Sequence, residues 1–370
     1  MRLLFAATSY PSSEQDWKGL FIQRLVEALA QRPNVDLQLW LPPGRRPDGS
    51  AYAATADDAI WLQRLMDDGG VAHLLRNRKL HGLATACQLL YRLRRAYRRS
   101  DCHLYHINWL QNALVLPDDG KPALISVLGS DLQLLKLPGM RVLLRRAMRN
   151  RHVILCPNAD WMEAPLAQAF GDVASIRVAP FGIDTSWYTV ERRPDNQPRR
   201  WIAVTRLTSS KLGTLFEWSA PHFKNAGREL HLFGPMQESI AVPDWIHYHG
   251  SATPEQLCRD WFPRAYGLVT LSRHAEGRPQ VMLEAMAAGL PILASQLPAH
   301  ADIIEHAVTG WLCHDPAGFA EGIAVIEDPI RNVDIGRHAH DWARNRIGDW
   351  NDCAARYAIH YRGLLESSAR

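Results

Sequence analysis

The stretch GLVTLSRHAEGRPQVMLEAMAAGLPILAS, residues 267–295, decides the fold class. A short apolar strand leads into a polar loop, a helix of small and apolar residues ends at Gly289, and a second apolar strand begins at Pro291. A strand, a helix and another strand in this order predict two parallel neighbours in one sheet. The sequence is therefore expected to give an α/β fold.

The same alternation extends from this stretch along most of the sequence. Further strands are predicted at residues 2–8, 35–41, 103–106, 123–128, 152–156, 201–204, 229–233 and 245–249. The charged, proline-rich segment ERRPDNQPRR, residues 191–200, separates two sets of strands, and we interpret it as a linker. We predict Rossmann-like domains at 1–190 and 191–345 and a terminal helix at 346–370, with a ligand in the cleft between the domains.

Composition excludes several classes of protein. The chain has 370 residues, 47% of them hydrophobic, which is enough for a large core and argues against a disordered chain or a small disulfide-stapled domain. Its six cysteines are scattered without a C-x-x-C pair, which indicates a reducing compartment and no zinc site. No apolar run is long enough to span a bilayer. We expect a cytoplasmic protein, with any membrane contact made peripherally at the inner face.

Basic residues are concentrated in the first half of the chain. Between residues 69 and 100 there is no acidic residue, and the basic ones are Arg76, Arg78, Lys79, Arg92, Arg94, Arg95, Arg98 and Arg99. Leucine and tyrosine alternate with these charges, which favours an anionic membrane surface as the partner of Arg92, Arg94, Arg95, Arg98 and Arg99. A solvated helix face is the alternative. Nucleic acid is not expected, because no nucleic-acid-binding motif accompanies the charge.

Two glutamates in the opening stretch carry the first candidate site. Glu284 lies in the apolar helix VMLEAMAAG, where a carboxylate is costly unless something hydrogen-bonds to it. The vicinal hydroxyls of a ribose would do so, and Glu276 in the preceding loop can face the same ligand. Free amides at the helix start near Pro279 suit a phosphate. The alternative is that Glu284 pairs with an arginine and Glu276 is a solvated loop acid.

Two cations carry the second candidate site. Arg206 and Lys211, in VTRLTSSKLG, follow the first strand of the second predicted domain. At the carboxyl end of that strand they could neutralise a diphosphate and stabilise it as a leaving group. A pair of exposed surface cations is the alternative.

These motifs together resemble the retaining GT-B glycosyltransferases of family 4. The resemblance rests on the E-x7-E spacing of Glu276 and Glu284, the R-x4-K-x-G from Arg206, PFGIDTSWY at 180–188, GSDL at 129–132, and SYP followed by KGLFIQRLVEALA near the N-terminus. It implies two Rossmann-like domains facing across a cleft, the first on the acceptor side and the second binding the donor. It also implies a C-terminal helix that returns to the first domain, with Trp350 as an anchor.

The resemblance also implies roles for individual residues. Glu276, Arg206 and Lys211 would be catalytic. The donor would be bound by Gly19, Arg206, Lys211, Gly234, Glu276, Gly277, Arg278, Pro279, Gln280 and Glu284. The acceptor side would be formed by Trp17, His106, Asn108, Ser130 and Asp131.

One departure from the family pattern affects the acceptor side. Leu128 stands where a histidine usually precedes Gly-[ST]-Asp, and His106 could face the cleft in its place. A purely structural role is the alternative for His106.

The sequence therefore predicts retaining transfer of a sugar from a nucleotide-diphosphate sugar to a glycan or lipid-linked acceptor, in bacterial surface polysaccharide or glycolipid synthesis. No D-x-D motif occurs, so neither a metal nor another cofactor is expected. The alternatives are a nucleotide-sugar epimerase on a similar scaffold and a non-catalytic module that binds sugar nucleotides.

Overall fold

Strands that are apolar along most of their length organise the protein into two α/β units. The computed structural model describes residues 1–13, 16, 18–194, 197–224 and 227–368. One unit comprises Met1–Phe181 with Trp350–Arg370, and the other comprises Gly182–Asp349. The predicted α/β class is confirmed.

The first unit contains a seven-stranded sheet in which all neighbouring strands are parallel. Its strands are β1 (Arg2–Ala6), β2 (Asp36–Trp40), β3 (Ala51–Tyr52), β4 (Leu104–Asn108), β5 (Ala123–Val127), β6 (Val153–Pro157) and β7 (Ser175–Ile176), in the order β3-β2-β1-β4-β5-β6-β7. Every residue of β4 and β5 is buried, because helices cover both faces of a parallel sheet.

Helices connect these strands and form the outer layers of the first unit. They are α1 (Leu20–Ala30), α2 (Ala56–Asp67), α3 (Gly70–Asn77), α4 (Lys79–Arg99), α5 (Asp131–Leu134), α6 (Met140–Met148) and α7 (Glu163–Phe170). Short 3₁₀ helices lie at Leu110–Val115 and Asp160–Met162. The apolar stripe of α1 packs on one face of the sheet, and α4 packs on the other.

The second unit contains a six-stranded sheet, again with only parallel neighbours. Its strands are β8 (Arg199–Val204), β9 (Arg228–Phe233), β10 (Ile246–Tyr248), β11 (Gly267–Thr270), β12 (Ile292–Ser295) and β13 (Trp311–Cys313), in the order β10-β9-β8-β11-β12-β13. The predicted strands are all present, with ends shifted by a residue or two. The missed strands β3, β7 and β13 are too short to show a pattern.

The helices of the second unit cover both faces of its sheet. They are α8 (Ser209–Leu212), α9 (Leu215–Phe223), α10 (Pro254–Gln256), α11 (Gln280–Ala287), α12 (Pro298–Ala301), α13 (Pro316–Glu327) and α14 (Pro329–Arg346). Short 3₁₀ helices lie at Thr185–Thr189 and Phe262–Arg264, and a π-helical turn lies at Leu257–Trp261.

The final helix, α15 (Trp350–Ser368), is part of the first unit. It packs against α1, and the ring of Trp350 lies 6.1 Å from that of Phe181. The Tyr357 hydroxyl lies 3.0 Å from Ser126 Oγ in β5, deep in the core. A helix distant in sequence therefore completes the core of the first sheet.

The two compact units do not divide at the segment 191–200, which the sequence analysis interpreted as a linker. They divide at Phe181 and at Trp350, so the described residues 191–194 and 197–200 fall in the second unit. The Arg192 guanidinium donates to the Gly289 carbonyl at 2.7 Å and to the Ala265 carbonyl at 2.8 Å. These bonds fasten the segment to the second unit despite its linker-like composition.

Candidate active site

The functional residues of the second unit lie in loops at one edge of its sheet. Strands β9, β8, β11 and β12 are parallel neighbours, so the loops that follow them meet at their carboxyl ends. Arg206 and Lys211 follow β8, Gly234 follows β9, and Glu276 follows β11. The structure therefore brings the two predicted motifs to the same edge.

Two glycines allow these loops to approach closely. Gly213 has φ of +56°, and a Cβ there would lie 1.9 Å from the carbonyl oxygen of Leu271, at the end of β11. Gly234 has φ of +139°, and a Cβ there would lie 1.7 Å from the carbonyl oxygen of Thr205. Any larger residue would push the loops apart, so both positions require glycine.

An ion pair between Lys211 and Glu276 forms the centre of this edge. Lys211 Nζ lies 2.6 Å from Glu276 Oε1, and the two side chains are only 13% and 15% exposed. The Ser272 hydroxyl donates to the same carboxylate oxygen at 3.2 Å. Burial lowers the pKa of Lys211, the nearby charge of Arg206 lowers it further, and Glu276 opposes both effects. Neither Lys211 nor Glu276 is therefore the solvated surface charge of the alternative interpretation.

Glu284 is a second carboxylate, on α11, which begins at Gln280 with Pro279 as its N-cap residue. Burial raises the pKa of Glu284 to about 7, and the negative charge of Asp184 adds to the effect. Within the described residues no hydrogen bond or cation pairs with its carboxylate, so the pairing with an arginine is not found. Glu284 is a carboxylate in an apolar helix that lacks a protein partner.

Arg278 and Gln280 make structural contacts with their side chains. The Arg278 guanidinium pairs with Asp302 in a contact in which both side chains are 3% exposed. The Gln280 amide donates to the Gly182 carbonyl at 2.9 Å. A donor contact in this segment is therefore left to backbone amides rather than to these side chains; Pro279 has no N–H, and no side chain caps the helix start at Gln280.

We expect the Asp302→Asn variant to be strongly destabilised, because it removes the negative charge that pairs with the buried Arg278 guanidinium. Breaking a buried pair in this way costs about 3–5 kcal/mol of unfolding free energy. Urea unfolding measures the loss. The double variant Arg278→Met with Asp302→Leu should recover most of it, because no unpaired charge remains. Equal stabilities of wild type and the Asp302→Asn variant would contradict this assignment.

His300 is a residue of this edge that the sequence analysis missed. It is fully buried, and its Nδ1 donates to the Ser295 carbonyl at 2.8 Å, which leaves Nε2 without a partner in the described chain. Burial lowers its pKa, and the charges of Glu276 and Lys211 both act on it. No sequence motif marks His300; only its position after β12 could have indicated it.

His106 does not face a ligand, which corrects the acceptor-side prediction. It is fully buried in β4, with Nδ1 2.5 Å from the Tyr361 hydroxyl and Nε2 2.9 Å from Ser126 Oγ. Burial lowers its pKa to about 3, so the ring is neutral. Both nitrogens have protein partners, and His106 has the structural role that the sequence analysis held as the alternative.

The other acceptor-side residues lie at the carboxyl edge of the first sheet, except Trp17, which lies outside the described residues. Asn108 is buried and donates to the Ala6 carbonyl at 3.1 Å, whereas Ser130 is exposed. Asp131 is buried and accepts a 2.7 Å hydrogen bond from the Leu128 amide, and burial raises its pKa to about 7. Gly19, with φ of +76°, precedes α1 in the loop after β1.

Not all residues of the predicted basic surface are exposed. Arg92 is 12% exposed and pairs with Asp57 at 2.7 Å and Asp58 at 2.9 Å, and Arg99 also contacts Asp58. Asp57 and Asp58 precede the acid-free stretch 69–100, so the sequence of that stretch gave no sign that Arg92 and Arg99 have acidic partners. Arg94, Arg95 and Arg98 are exposed, as predicted. Within the described residues, no helix is long and apolar enough to cross a bilayer.

The sequence of the second unit matches a known family. Residues 200–327 match the family described as "Glycosyl transferases group 1". The amylovoran biosynthesis glycosyltransferase AmsK of Erwinia amylovora is 31% identical over 169 residues, which cover 41% of this chain and 40% of AmsK. The chain spans less than half the length of the first curated relatives that it matches.

Solved structures match the whole chain. Sucrose-phosphate synthase from Thermosynechococcus elongatus superimposes with a TM-score of 0.69 at 16% identity, covering 99% of each chain. HepE of Anabaena, solved with UDP and glucose, gives 0.66 at 14% identity, covering 98% of this chain and 100% of HepE. At these identities the likeness concerns the fold alone. The predicted resemblance is thus confirmed at the level of similarity: residues 200–327 match the group 1 glycosyl transferases, and the fold of the chain is GT-B, as predicted.

Proposed function

We propose that the protein is a glycosyltransferase that uses a nucleotide-diphosphate sugar and transfers the sugar, with retention of anomeric configuration, to a glycan or lipid-linked acceptor. The observation that carries the proposal is the partly buried Lys211–Glu276 pair, with Arg206 beside it, at the carboxyl edge of the second sheet. This edge lies within the segment that matches the group 1 glycosyl transferases.

The charges of this edge suit a diphosphate. Lys211 and Arg206 supply two positive charges, and Glu276 compensates one of them. The positive charge that remains favours a diphosphate, and the uncapped start of α11 offers backbone amides to its oxygens. Because Lys211 is largely removed from water, its charge acts more strongly on a phosphate than that of an exposed lysine.

Glu284 suits the ribose of the same donor. A carboxylate without a protein partner gains most from a ligand that donates hydrogen bonds, and adjacent ribose hydroxyls donate two. A UDP complex is known for HepE, which shares the fold, and AmsK is named for amylovoran biosynthesis. Both are consistent with a nucleotide-sugar donor and a role in surface polysaccharide or glycolipid synthesis.

The reaction that we propose needs no covalent intermediate and no metal. The bond from the anomeric carbon to the diphosphate breaks, the acceptor hydroxyl oxygen bonds to the same face of that carbon, and its proton passes to the departing phosphate oxygen. Lys211 and Arg206 stabilise the charge that develops on the diphosphate. The Glu276 carboxylate is paired with the Lys211 ammonium group, which lowers the nucleophilicity of the carboxylate. Glu276 is therefore better suited to position the sugar than to attack it.

A donor screen tests the proposal. We expect one sugar nucleotide among the UDP, GDP, ADP and dTDP sugars to raise the Tm of the wild type, because a donor at about 100 times its Kd adds about 2.7 kcal/mol. The Lys211→Ala variant should lose this shift. The Lys121→Ala variant, which removes a lysine paired with Asp119 in the first unit, should keep it. Absence of a shift with every donor would contradict the proposal.

Proton NMR then distinguishes the reaction classes. With the selected donor and a panel of glycan and lipid-linked acceptors, we expect a product whose anomeric coupling matches that of the donor. A product with the opposite anomeric configuration would overturn the assignment of a retaining reaction but not that of a glycosyltransferase. Conversion of the donor without an acceptor into an epimeric sugar nucleotide would instead identify an epimerase, and donor binding with no conversion would identify a binding module.

A further inference from the structure

Helix α4 has apolar stripes on two opposite faces, of which only one is buried. Leu89, Leu93 and Ala96 pack into the core of the first unit. The other stripe, spaced by three or four residues, consists of Leu80, Leu83, Cys87 and Tyr91. Leu80 is 86% exposed, Leu83 59% and Tyr91 61%. A helix that meets only water on its outer face carries polar residues there, so this stripe indicates a partner.

The stripe begins at the turn of a helical hairpin. Helices α3 and α4 pack against each other, and residues 75–81, which comprise the end of α3, Arg78 and the start of α4, are all exposed. Leu75 on α3 is also an exposed large apolar residue. Apolar side chains of both helices are therefore exposed near the turn of the hairpin.

The charged residues that the hairpin itself contributes around the stripe are all basic, because residues 69–100 contain no acid. Arg94, Arg95 and Arg98 continue the exposed face of α4 beyond Tyr91, and the Arg95 guanidinium lies 5.7 Å from the centre of the Tyr91 ring. Basic side chains also surround the tip of the hairpin, namely Arg76, Arg78 and Lys79. In the described part of the chain, none of these six pairs with a carboxylate. The hairpin thus combines exposed leucines with uncompensated positive charge.

We propose that the α3–α4 hairpin docks on a bilayer that contains anionic lipids. Leu80 and Leu83 enter the headgroup region, and the arginines of α4 contact lipid phosphates. A second copy of the chain would bring two positive surfaces together, and nucleic acid would leave the leucines in water, so both fit less well. The proposal does not depend on the proposed sugar transfer.

Vesicle co-sedimentation of the full chain tests the proposal. We expect binding to phosphatidylcholine vesicles with about 30% phosphatidylglycerol, little binding to pure phosphatidylcholine, and weakening with salt. Leu80→Glu with Leu83→Glu should weaken binding by about 100-fold or more, because two apolar side chains that enter the headgroup region are replaced by anions that the lipids repel. Both side chains are mostly exposed, so we expect the fold to tolerate the change. Arg94→Gln, Arg95→Gln and Arg98→Gln together should weaken it by about 100-fold.

The matched control lies in the second unit. Ile330 and Val333 on α14 are 79% and 70% exposed, and Ile330→Glu with Val333→Glu should leave vesicle binding unchanged. The Tm of every variant should equal that of the wild type, which shows that the fold is intact. If the control variant loses as much vesicle binding as the leucine variant, the proposal is overturned.

Cys87 provides a second readout that needs no amino-acid substitution in the hairpin. It is the exposed cysteine on the stripe, and a polarity-sensitive maleimide on it, in a Cys258→Ser background, reports the surroundings of α4. Its emission should shift to shorter wavelength with anionic vesicles and not with neutral ones. Vesicle binding without this shift would overturn the proposal.

The competing partners give different results. Self-association that the leucine variant disperses, without vesicle binding, would identify a second copy and overturn the proposal. Binding to duplex nucleic acid that depends on the arginines but not on the leucines, again without vesicle binding, would overturn it as well.

Discussion

The Lys211→Ala variant should turn over the donor about 10²- to 10³-fold more slowly than the wild type, because it loses one preorganised charge at the departing diphosphate. Lys211 is held 2.6 Å from Glu276 and is largely buried, so solvent cannot replace its charge. The effect should appear in kcat as well as in kcat/KM, because the charge matters most when the bond to the diphosphate breaks. Steady-state kinetics with the donor that the Tm screen selects measures both constants.

A stability measurement distinguishes this role from a structural one. Among the residues that the structure describes, loss of Lys211 leaves the Glu276 carboxylate with the Ser272 hydroxyl as its side-chain partner, so we expect some destabilisation but a folded protein. The Lys121→Ala variant removes a lysine of comparable type from the Asp119 pair in the first unit and should retain full turnover. Full turnover in the Lys211→Ala and Arg206→Ala variants would overturn the diphosphate assignment.

The Glu284→Gln variant should bind the donor much more weakly and yet be more stable than the wild type. A hydrogen bond from a ribose hydroxyl contributes about 1.5–3 kcal/mol to a charged acceptor and about 0.5–1.5 kcal/mol to a neutral one, so losing the charge should raise Kd by up to about tenfold for each bond. If Glu284 served the fold alone, its substitution would lower both the unfolding free energy and the donor affinity. A higher unfolding free energy together with a lower donor affinity therefore identifies a ligand-binding carboxylate.

The pH dependence of stability follows from the raised pKa of Glu284. A carboxyl whose folded-state pKa lies near 7 stabilises the fold while it is protonated, and this contribution is lost as the pH rises through 7. At about pH 8 the Glu284→Gln variant should gain on the order of 1–2 kcal/mol of unfolding free energy, and the gain should shrink toward pH 5. Urea unfolding across this range measures it, and a gain independent of pH would contradict the assignment.

The donor edge could be predicted because its geometry follows from topology. Once residues 267–295 indicated a strand, a helix and a parallel strand, the loops after β8 and β11 had to meet at one edge of the sheet. Arg206, Lys211 and Glu276 stand in those loops, so their sequence positions fixed their approximate placement. The resemblance to a known family then gave their expected roles.

Partners that lie far away in sequence could not be predicted. Nothing near His106 shows that Tyr361, which is 255 residues later, supplies its hydrogen bond. Likewise, the buried pair of Arg278 requires Asp302 from another loop, and Arg92 takes Asp57 and Asp58 from α2. In each of these cases the role of a polar side chain depends on a partner that is distant in sequence. The residues adjacent in sequence carry no information about that partner.

Helix α15 also determines the order in which the protein can assemble during synthesis. The second unit, Gly182–Asp349, is continuous in sequence and can fold as soon as its own residues have left the ribosome. The sheet of the first unit emerges earlier, but Tyr357 and Tyr361 must still cover Ser126 and His106. The unit that is translated first is therefore completed last, and until then the apolar face against which α15 packs stays open to water and to chaperones.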